Sequence, residues 1–293
     1  MSINYNFAAF ILTHGRAGAV KTDNSLKVAG YTGKIFYIVD NEDKQLKEYV
    51  KAYGDQVIVF DKAKAAENTD AGDNSQRRNS VVYARNQCFD IAKKLGLDYF
   101  LQLDDDYGTF RYATNNKGKY ITSNTKTDRL DDLINISLEF LINSKFNCVA
   151  WAQGGDFIGG EGSGLISRYY NNKLLRKVMN SFFCDTSKPF NFIGRMNDDV
   201  NTYVTGGIKG KLFCTIPNVR LEQGETQAEP GGLTQMYLES GTYVKSFYTV
   251  MMAPSCAKIC EMGNVNKRLH HKIDWKKCTP LILEEKHKKA SYA

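Results

Sequence analysis

Asp98-Tyr99-Phe100-Leu101-Gln102-Leu103-Asp104-Asp105-Asp106 decides how the chain is read. Apolar and aromatic residues of strand length end abruptly in three carboxylates. Residues i and i+2 of an extended segment face the same side. Asp104 and Asp106 therefore converge just past the strand end, while Asp105 turns away. Two converging carboxylates suit a hard divalent cation that also holds phosphate. The competing reading is a solvated acidic turn, and the surroundings decide between them. Upstream, Phe7–Leu12, Lys34–Val39 and Gln56–Phe60 read as three more buried strands. Near-continuous apolar runs of this length belong to parallel strands covered on both faces. Helical segments at Leu26–Ala29 and Lys44–Ala52 separate them, closed by Gly30 or Gly33 and by Gly54. That alternation is the pattern of right-handed βαβ units.

Residues 62–79 are polar and read as a long functional or mobile loop. Ser80 is placed to cap a helix running to Leu95 before Gly96, with a stripe of Val81, Ala84, Cys88, Ile91, Ala92 and Leu95. Arg85 sits near that stripe, and Arg78 joins its side if the helix extends back. Beyond the Asp triplet, Tyr120–Ser123 reads as the return strand of a hairpin. Asp128 is placed to cap the next amphipathic helix, and Cys148–Trp151 forms a further strand. Gln153–Gly164 is glycine-rich but lacks the phosphate-loop pattern. Asn197-Asp198-Asp199-Val200 opens a short helix to Val204, closed by Gly206-Gly207, before a strand over Lys211–Ile216. Gln223–Gly232 reads as a lid.

Bulk properties bound the possibilities. No run of about 18 apolar residues exists, so no membrane-spanning helix is expected. The start, Met1-Ser2-Ile3-Asn4-Tyr5-Asn6, has no secretory character, and seven scattered cysteines fit a reducing compartment. A cytoplasmic protein is expected. Lys and Arg outnumber Asp and Glu by 39 to 32, a net +7. Lys267–Lys289 holds eight basic and three acidic residues, so this segment alone carries +5. Such a segment binds a polyanion or is simply a solvated surface. There is no internal repeat and no low-complexity linker. One domain is expected, with a nucleotide-binding half over 1–106 and an acceptor half with a basic C-terminal segment over 107–293.

The strand ends bring Thr13, His14, Gly15, Arg16, Asp40 and the triplet to one edge of a parallel sheet. A helix start adds Arg85. Asp40 suits a ribose or base, Arg16, Arg78 or Arg85 a phosphate, and Asp104 with Asp106 a metal. Each has a plainer reading: a turn residue for Asp40, a snorkelling arginine for Arg85, a packed or surface histidine for His270 or His271.

Thr-His-Gly-Arg after the first strand, Val-Asp-Asn after the second, Ala84-Arg85-Asn86 opening a helix and Leu-Asp-Asp-Asp-Tyr resemble a GT-A glycosyltransferase. Asn197–Val200 is similar to the acidic segment of that fold near the acceptor. Gly241–Phe247, Pro254-Ser255-Cys256 and His270–Trp275 resemble the TET-associated glycosyltransferases, phage enzymes linked to hypermodified DNA pyrimidines. The resemblance runs over most of residues 7–283. It implies an α/β, Rossmann-like GT-A sheet, mostly parallel and flanked by helices, with a C-terminal acceptor-side region. It implies a UDP-sugar donor, Mn2+ or Mg2+, and hydroxymethylated DNA such as 5-hydroxymethylcytosine as acceptor, in the host cytoplasm. Asp104 and Asp106 match the metal motif, completed by His270 or His271. Asp40 matches a uridine-contacting acid, Arg16 and Arg85 lie near base and diphosphate, and Thr13, Arg78 and Asp105 join the donor-binding set. Asp199, or failing it Asp198, matches the acid beside the acceptor. Asp-Asp stands here where many relatives have Glu-Asp, which leaves the base open. Phe110, Tyr112, Trp151 and the basic segment are the expected DNA contacts. The alternatives are a GT-A enzyme acting on saccharide, lipid or protein, a nucleotidyltransferase, and a non-catalytic DNA-binding module.

Overall fold

The computed structural model describes residues 2–114, 125–153, 177–223, 238, 241, 243–262 and 267–280. In chain order the elements are β1 (Phe7–Leu12), α1 (Thr22–Val28), β2 (Lys34–Asp40), α2 (Leu46–Tyr53), β3 (Val57–Phe60), α3 (Lys62–Glu67) and α4 (Val82–Lys94). Then come β4 (Tyr99–Asp104), β5 (Tyr107–Tyr112), α5 (Leu130–Asn143), β6 (Cys148–Gln153), β7 (Ser181–Asp185), α6 (Asp198–Ile208), β8 (Phe213–Gln223), α7 (Val244–Met252), β9 (Ala257–Met262) and β10 (Arg268–Ile273). Eight strands form one sheet in the order β3-β2-β1-β4-β7-β6-β8-β5, and β9 and β10 form a separate antiparallel pair. Parallel pairing joins β3 to β2, β2 to β1, β1 to β4 and β6 to β8. The expected α/β sheet, mostly parallel and flanked by helices, is the observed architecture.

Alternation along the strands feeds two cores. Ala8, Phe10, Leu12 and Phe100 pack with Val82, Cys88, Ala92, Val200 and Val204 on the α4 and α6 side. Phe7, Ala9, Ile11, Leu101 and Leu103 pack with Leu26, Tyr49, Ile134 and Leu138 on the α1, α2 and α5 side. Every residue of β1 is buried. A strand covered on both faces has no polar side to show, which is why its sequence is apolar throughout.

Several expectations need correction. Residues 62–67 are the helix α3, and Asp61 accepts the Lys64 N–H as its cap. The helix of residues 26–29 starts earlier, at Thr22. In α4, Val81 is the N-cap; the Ser80 hydroxyl takes the Val82 N–H at 3.4 Å and donates to the Arg195 carbonyl. Leu95 is exposed, and the buried stripe includes Tyr83, Arg85 and Phe89. Asp128 is not the cap of α5: Arg129 is its N-cap, with no cap hydrogen bond from its side chain. Helix α6 does not stop at Gly206-Gly207 but runs through both. A Cβ on Gly206 would lie 2.7 Å from the Phe213 ring, and one on Gly207 3.0 Å from the Cys278 carbonyl oxygen. Those glycines serve close packing, not termination. Phe110 and Trp151 are core, not nucleic-acid contacts: their rings meet edge to face at 5.8 Å, and Trp151 Nε1 donates to Ser137 Oγ. The expected return strand at 120–123, the glycine loop over 154–164 and the lid beyond Gln223 lie outside the described residues. No helix among the described residues is long and apolar enough to cross a membrane.

Candidate functional site

Parity along β4 sets the site. Phe100, Gln102 and Asp104 share the α4 face. Gln102 Nε2 donates to the Arg85 carbonyl, and Arg85 Nη2 reaches Asp104 Oδ1 at 3.2 Å. Asp105 turns the other way. Its carboxylate accepts from Thr13 Oγ1 at 2.7 Å and from Arg16 Nη1 at 2.6 Å. Its carbonyl takes the Lys21 and Thr22 N–H groups that open α1. Burial holds Asp105 above the usual carboxylate range against the pull of Thr13 and Arg16. The Tyr49 hydroxyl ties the same corner together, bonding Thr13 Oγ1 and accepting the Arg16 N–H.

Asp106 follows the turn. Gln223, at the end of β8, donates Nε2 to both of its oxygens at 3.1 and 3.0 Å. Gln153 and Asn180 donate to the Gln223 carbonyl oxygen and so fix which way that amide points. Asp106 is raised above its ordinary value by burial and then by the charge of Asp104. Two carboxylates that feel each other across a strand end fit a hard dication between them, because oxygen is the donor such ions take. Among the described residues no three His, Cys, Asp or Glu side chains gather to hold a metal on their own. Phosphate oxygens and water complete such a shell in nucleotide sites.

Arg85 lies behind these acids. Its guanidinium is buried over the rings of Phe182 and Phe192, at 4.8 and 5.5 Å. It faces Asp104 and, from Nε at 3.3 Å, Asp198. Its charge is thus shared between the metal motif and the start of α6. Asp198 is raised well above the carboxylate range by burial, which outweighs Arg85. Asp199 is also buried, with Oδ1 accepting the Val200 N–H. Asn197 precedes them in the left-handed region, at φ 54°. Its Nδ2 lies 3.3 Å from His271 Nδ1, so β10 carries the histidine pair against the start of α6. Burial, and then the charges of His270 and Lys245, push His271 down to about 4, which leaves a neutral ring.

Asp40 and Arg78 sit differently from expectation. Asp40 is buried, with Oδ2 bonded by His14 Nδ1 at 2.6 Å and Lys62 Nζ at 3.2 Å, and Oδ1 by the Glu42 N–H. Arg78 precedes α4 rather than riding on it, and pairs with Glu42. Lys62, Tyr49, Gln153 and Gln223 are the neighbours that sequence reading does not single out as functional, and it places His14 at the edge without a role of its own. No local pattern marks the first four; only the sheet order brings them to the strand ends.

The sequence profile described as TET-Associated Glycosyltransferase matches residues 7–232. The chain belongs to this family. It is a glycosyltransferase, and the acid-lined strand ends are its candidate active site. No curated protein matches it. Similar solved structures include glucosyl-3-phosphoglycerate synthase from Mycobacterium tuberculosis in complex with Mn2+, uridine diphosphate and phosphoglyceric acid. That pair is 7% identical, with a TM-score of 0.47 over 92% of this glycosyltransferase and 87% of the other chain. The same enzyme with Mg2+ and uridine diphosphate is 8% identical, with a TM-score of 0.45 over 92% and 88%. A structure described as a mycobacterial protein is 10% identical, with a TM-score of 0.46 over 92% and 84%.

Proposed function

We propose that this glycosyltransferase moves a sugar from a nucleoside diphosphate sugar, a uridine one first, to a hydroxymethyl group on a pyrimidine of DNA, 5-hydroxymethylcytosine in particular. The observation that carries the reading is the pair of carboxylates, Asp104 and Asp106, at the open end of β4 with Arg85 behind them. Ligands of open α/β sheets lie at the carboxyl ends of the strands. Thr13, Arg16, Asp40, Arg78, Arg85 and Asp105 form the donor side over residues 1–106. Residues 107–293 form the acceptor side of the same domain, a reading supported by the sheet that β4 and β7 share.

Asp104 and Asp106 would hold Mn2+ or Mg2+, which would supply charge neutralisation for a departing diphosphate; His270 and His271 do not gather with them among the described residues, so phosphate oxygens and water complete the shell in this reading. Gln223 keeps Asp106 turned to that point, and Arg85 keeps Asp104 from swinging away. Asp199, or failing it Asp198, which already faces Arg85 at 3.3 Å, is the group for the acceptor proton in an inverting transfer. The +5 segment from Lys267 to Lys289 favours a polyanionic acceptor, with binding that weakens as salt rises. An acceptor base inside a duplex is reached in a groove or extruded.

The test incubates the protein with hydroxymethylated and plain DNA, a panel of nucleotide sugars and Mn2+ or Mg2+, and reads nucleoside mass. Transfer only to hydroxymethylated DNA, lost in Asp104→Asn and Asp106→Asn, is expected. Near wild-type transfer by both variants removes the metal assignment. Transfer to a saccharide, lipid or protein with no salt-dependent gel shift removes the DNA acceptor.

A further inference from the structure

The strand order places β2 two positions from β4, with β1 between them. Neighbouring strands lie ~4.8 Å apart, so the end of β2 is about 10 Å from the carboxylates at the end of β4. That is about the reach from the diphosphate of a nucleotide to its base. At this second position the group on offer is not Asp40. The Asp40 side chain is 5% exposed, and both its oxygens are engaged by His14, Lys62 and the Glu42 N–H. His14 stands in front of it with half its side chain exposed. Gly15 makes the turn behind it at φ 68°, and its N–H is taken by Asp43.

The ring is oriented from behind. Nδ1 points at Asp40 Oδ2 at 2.6 Å and at Asp43 Oδ2 at 3.5 Å. A nitrogen held on carboxylates carries its proton, and Nε2 is left at the rim. The charged groups facing the ring are Asp40 from β2, Asp43 from the turn after it, and Lys62 from α3. Two carboxylates against one ammonium leave one negative charge, which an imidazolium balances. The hydrogen bond that His14 donates to Asp40 accordingly holds His14 above its ordinary value.

We infer that His14 reads the base of the donor, with Nε2–H donated to an exocyclic carbonyl oxygen such as O4 of uracil, and that Asp40 is a positioning residue acting through it. A cytosine presents an amino group at that place, donor against donor, and is disfavoured. A site built to bond one group rejects the analogue lacking it more strongly than an apolar pocket does. This rests on the donor reading proposed above and names the residue behind its uridine preference.

Titration calorimetry with uridine diphosphate and cytidine diphosphate, in Mg2+ at pH 6.5, tests it on the full chain. Wild type binds the uridine nucleotide at least about tenfold tighter, the equivalent of one net hydrogen bond to a charged group. His14→Phe loses that preference, because the donor–donor clash with cytidine diphosphate disappears together with the bond to uridine diphosphate. His14→Gln, whose amide also donates, recovers part of it. Nitrogen-15 spectra of the wild-type histidines give a reading that does not depend on any variant folding: uridine diphosphate shifts the His14 Nε2 resonance. Unchanged preference in His14→Phe, or an unmoved Nε2 resonance at saturating nucleotide, overturns the inference. If Asp106→Asn still weakens the nucleotide in that case, the donor reading stands alone. If wild type binds neither nucleotide, both fall together.

Discussion

Replacing Arg195 with Met or Lys tests what holds residues 70–79 in place. Arg195 is 1% exposed and its guanidinium works as a staple. Nε meets Asp73 Oδ2 at 2.9 Å and Nη2 meets Oδ1 at 3.0 Å, a bidentate pair. Nη2 also reaches the Ser75 carbonyl at 3.0 Å, and Nη1 the Arg77 carbonyl. The backbone adds Gly194 N–H to Asp70 O and Arg195 N–H to Ala71 O, and Tyr248 bonds Asp73 from α7. Hydrogen bonds to charged groups contribute ~1.5–3 kcal/mol each, and breaking a buried ion pair costs ~3–5 kcal/mol. The Asp73 side chain is 24% exposed, so water takes over part of its bonding and the lower end applies. Arg195→Met is expected to cost about 3 kcal/mol, a loss of ~1 M in the urea midpoint at a slope of ~3 kcal/mol per M. Arg195→Lys keeps the charge but not the fork, and is expected to lose about 2 kcal/mol. Hydrogen exchange should quicken across residues 70–79 in both. A Lys variant within about 0.5 kcal/mol of wild type would show that charge alone, not the fork, holds the loop.

Gly30→Ala places a Cβ 2.2 Å from the Asp128 carbonyl oxygen at φ 89°; a loss of about 2 kcal/mol or more is expected in urea unfolding, and a neutral result would mean that the 30–128 contact yields. Gly206→Ala drives a methyl into the Phe213 ring and should cost about 1–3 kcal/mol, relieved in part by pairing it with Phe213→Leu; no relief would disprove the contact. The His14–Asp40 pair gives a pH signature. His14 is held above 6.5, so its contribution is whole below that value and fades as pH rises through the raised one. Asp40 is held below 3.8, since His14 and Lys62 outweigh burial, so its contribution is whole above 3.8 and fades as pH falls through the lowered one. His14→Asn should therefore cost more stability at pH 5.5 than at pH 9, and an equal cost at both would refute the pairing.

The legible parts of this molecule are those whose cause is local. Phe7–Leu12 is apolar at every position because both its faces are covered, and that reads directly from six residues. Parity past Leu103 separates Asp105 from Asp104 before any neighbour is known. β7 escaped notice because Ser181–Asp185 is five residues long and gains its meaning only as the antiparallel insert between β4 and β6. Gly206-Gly207 misled because a glycine that ends a helix and one that admits a neighbour look alike in sequence.

The sequence by itself determined the alternation of strand and helix, the acidic end of β4 and the likeness to a glycosyltransferase family, each built from short stretches that can be read one at a time. Tertiary structure alone decided that Asp106 meets Gln223, that Arg85 links Asp104 to Asp198, and that Asp40 stands behind His14. Asp106 with Gln223 and Arg85 with Asp198 join residues more than a hundred positions apart in the chain, and His14 and Asp40 meet from the ends of the neighbouring strands β1 and β2. Their closeness comes from strand order, which hydrophobic burial over the whole sheet selects and no short stretch encodes.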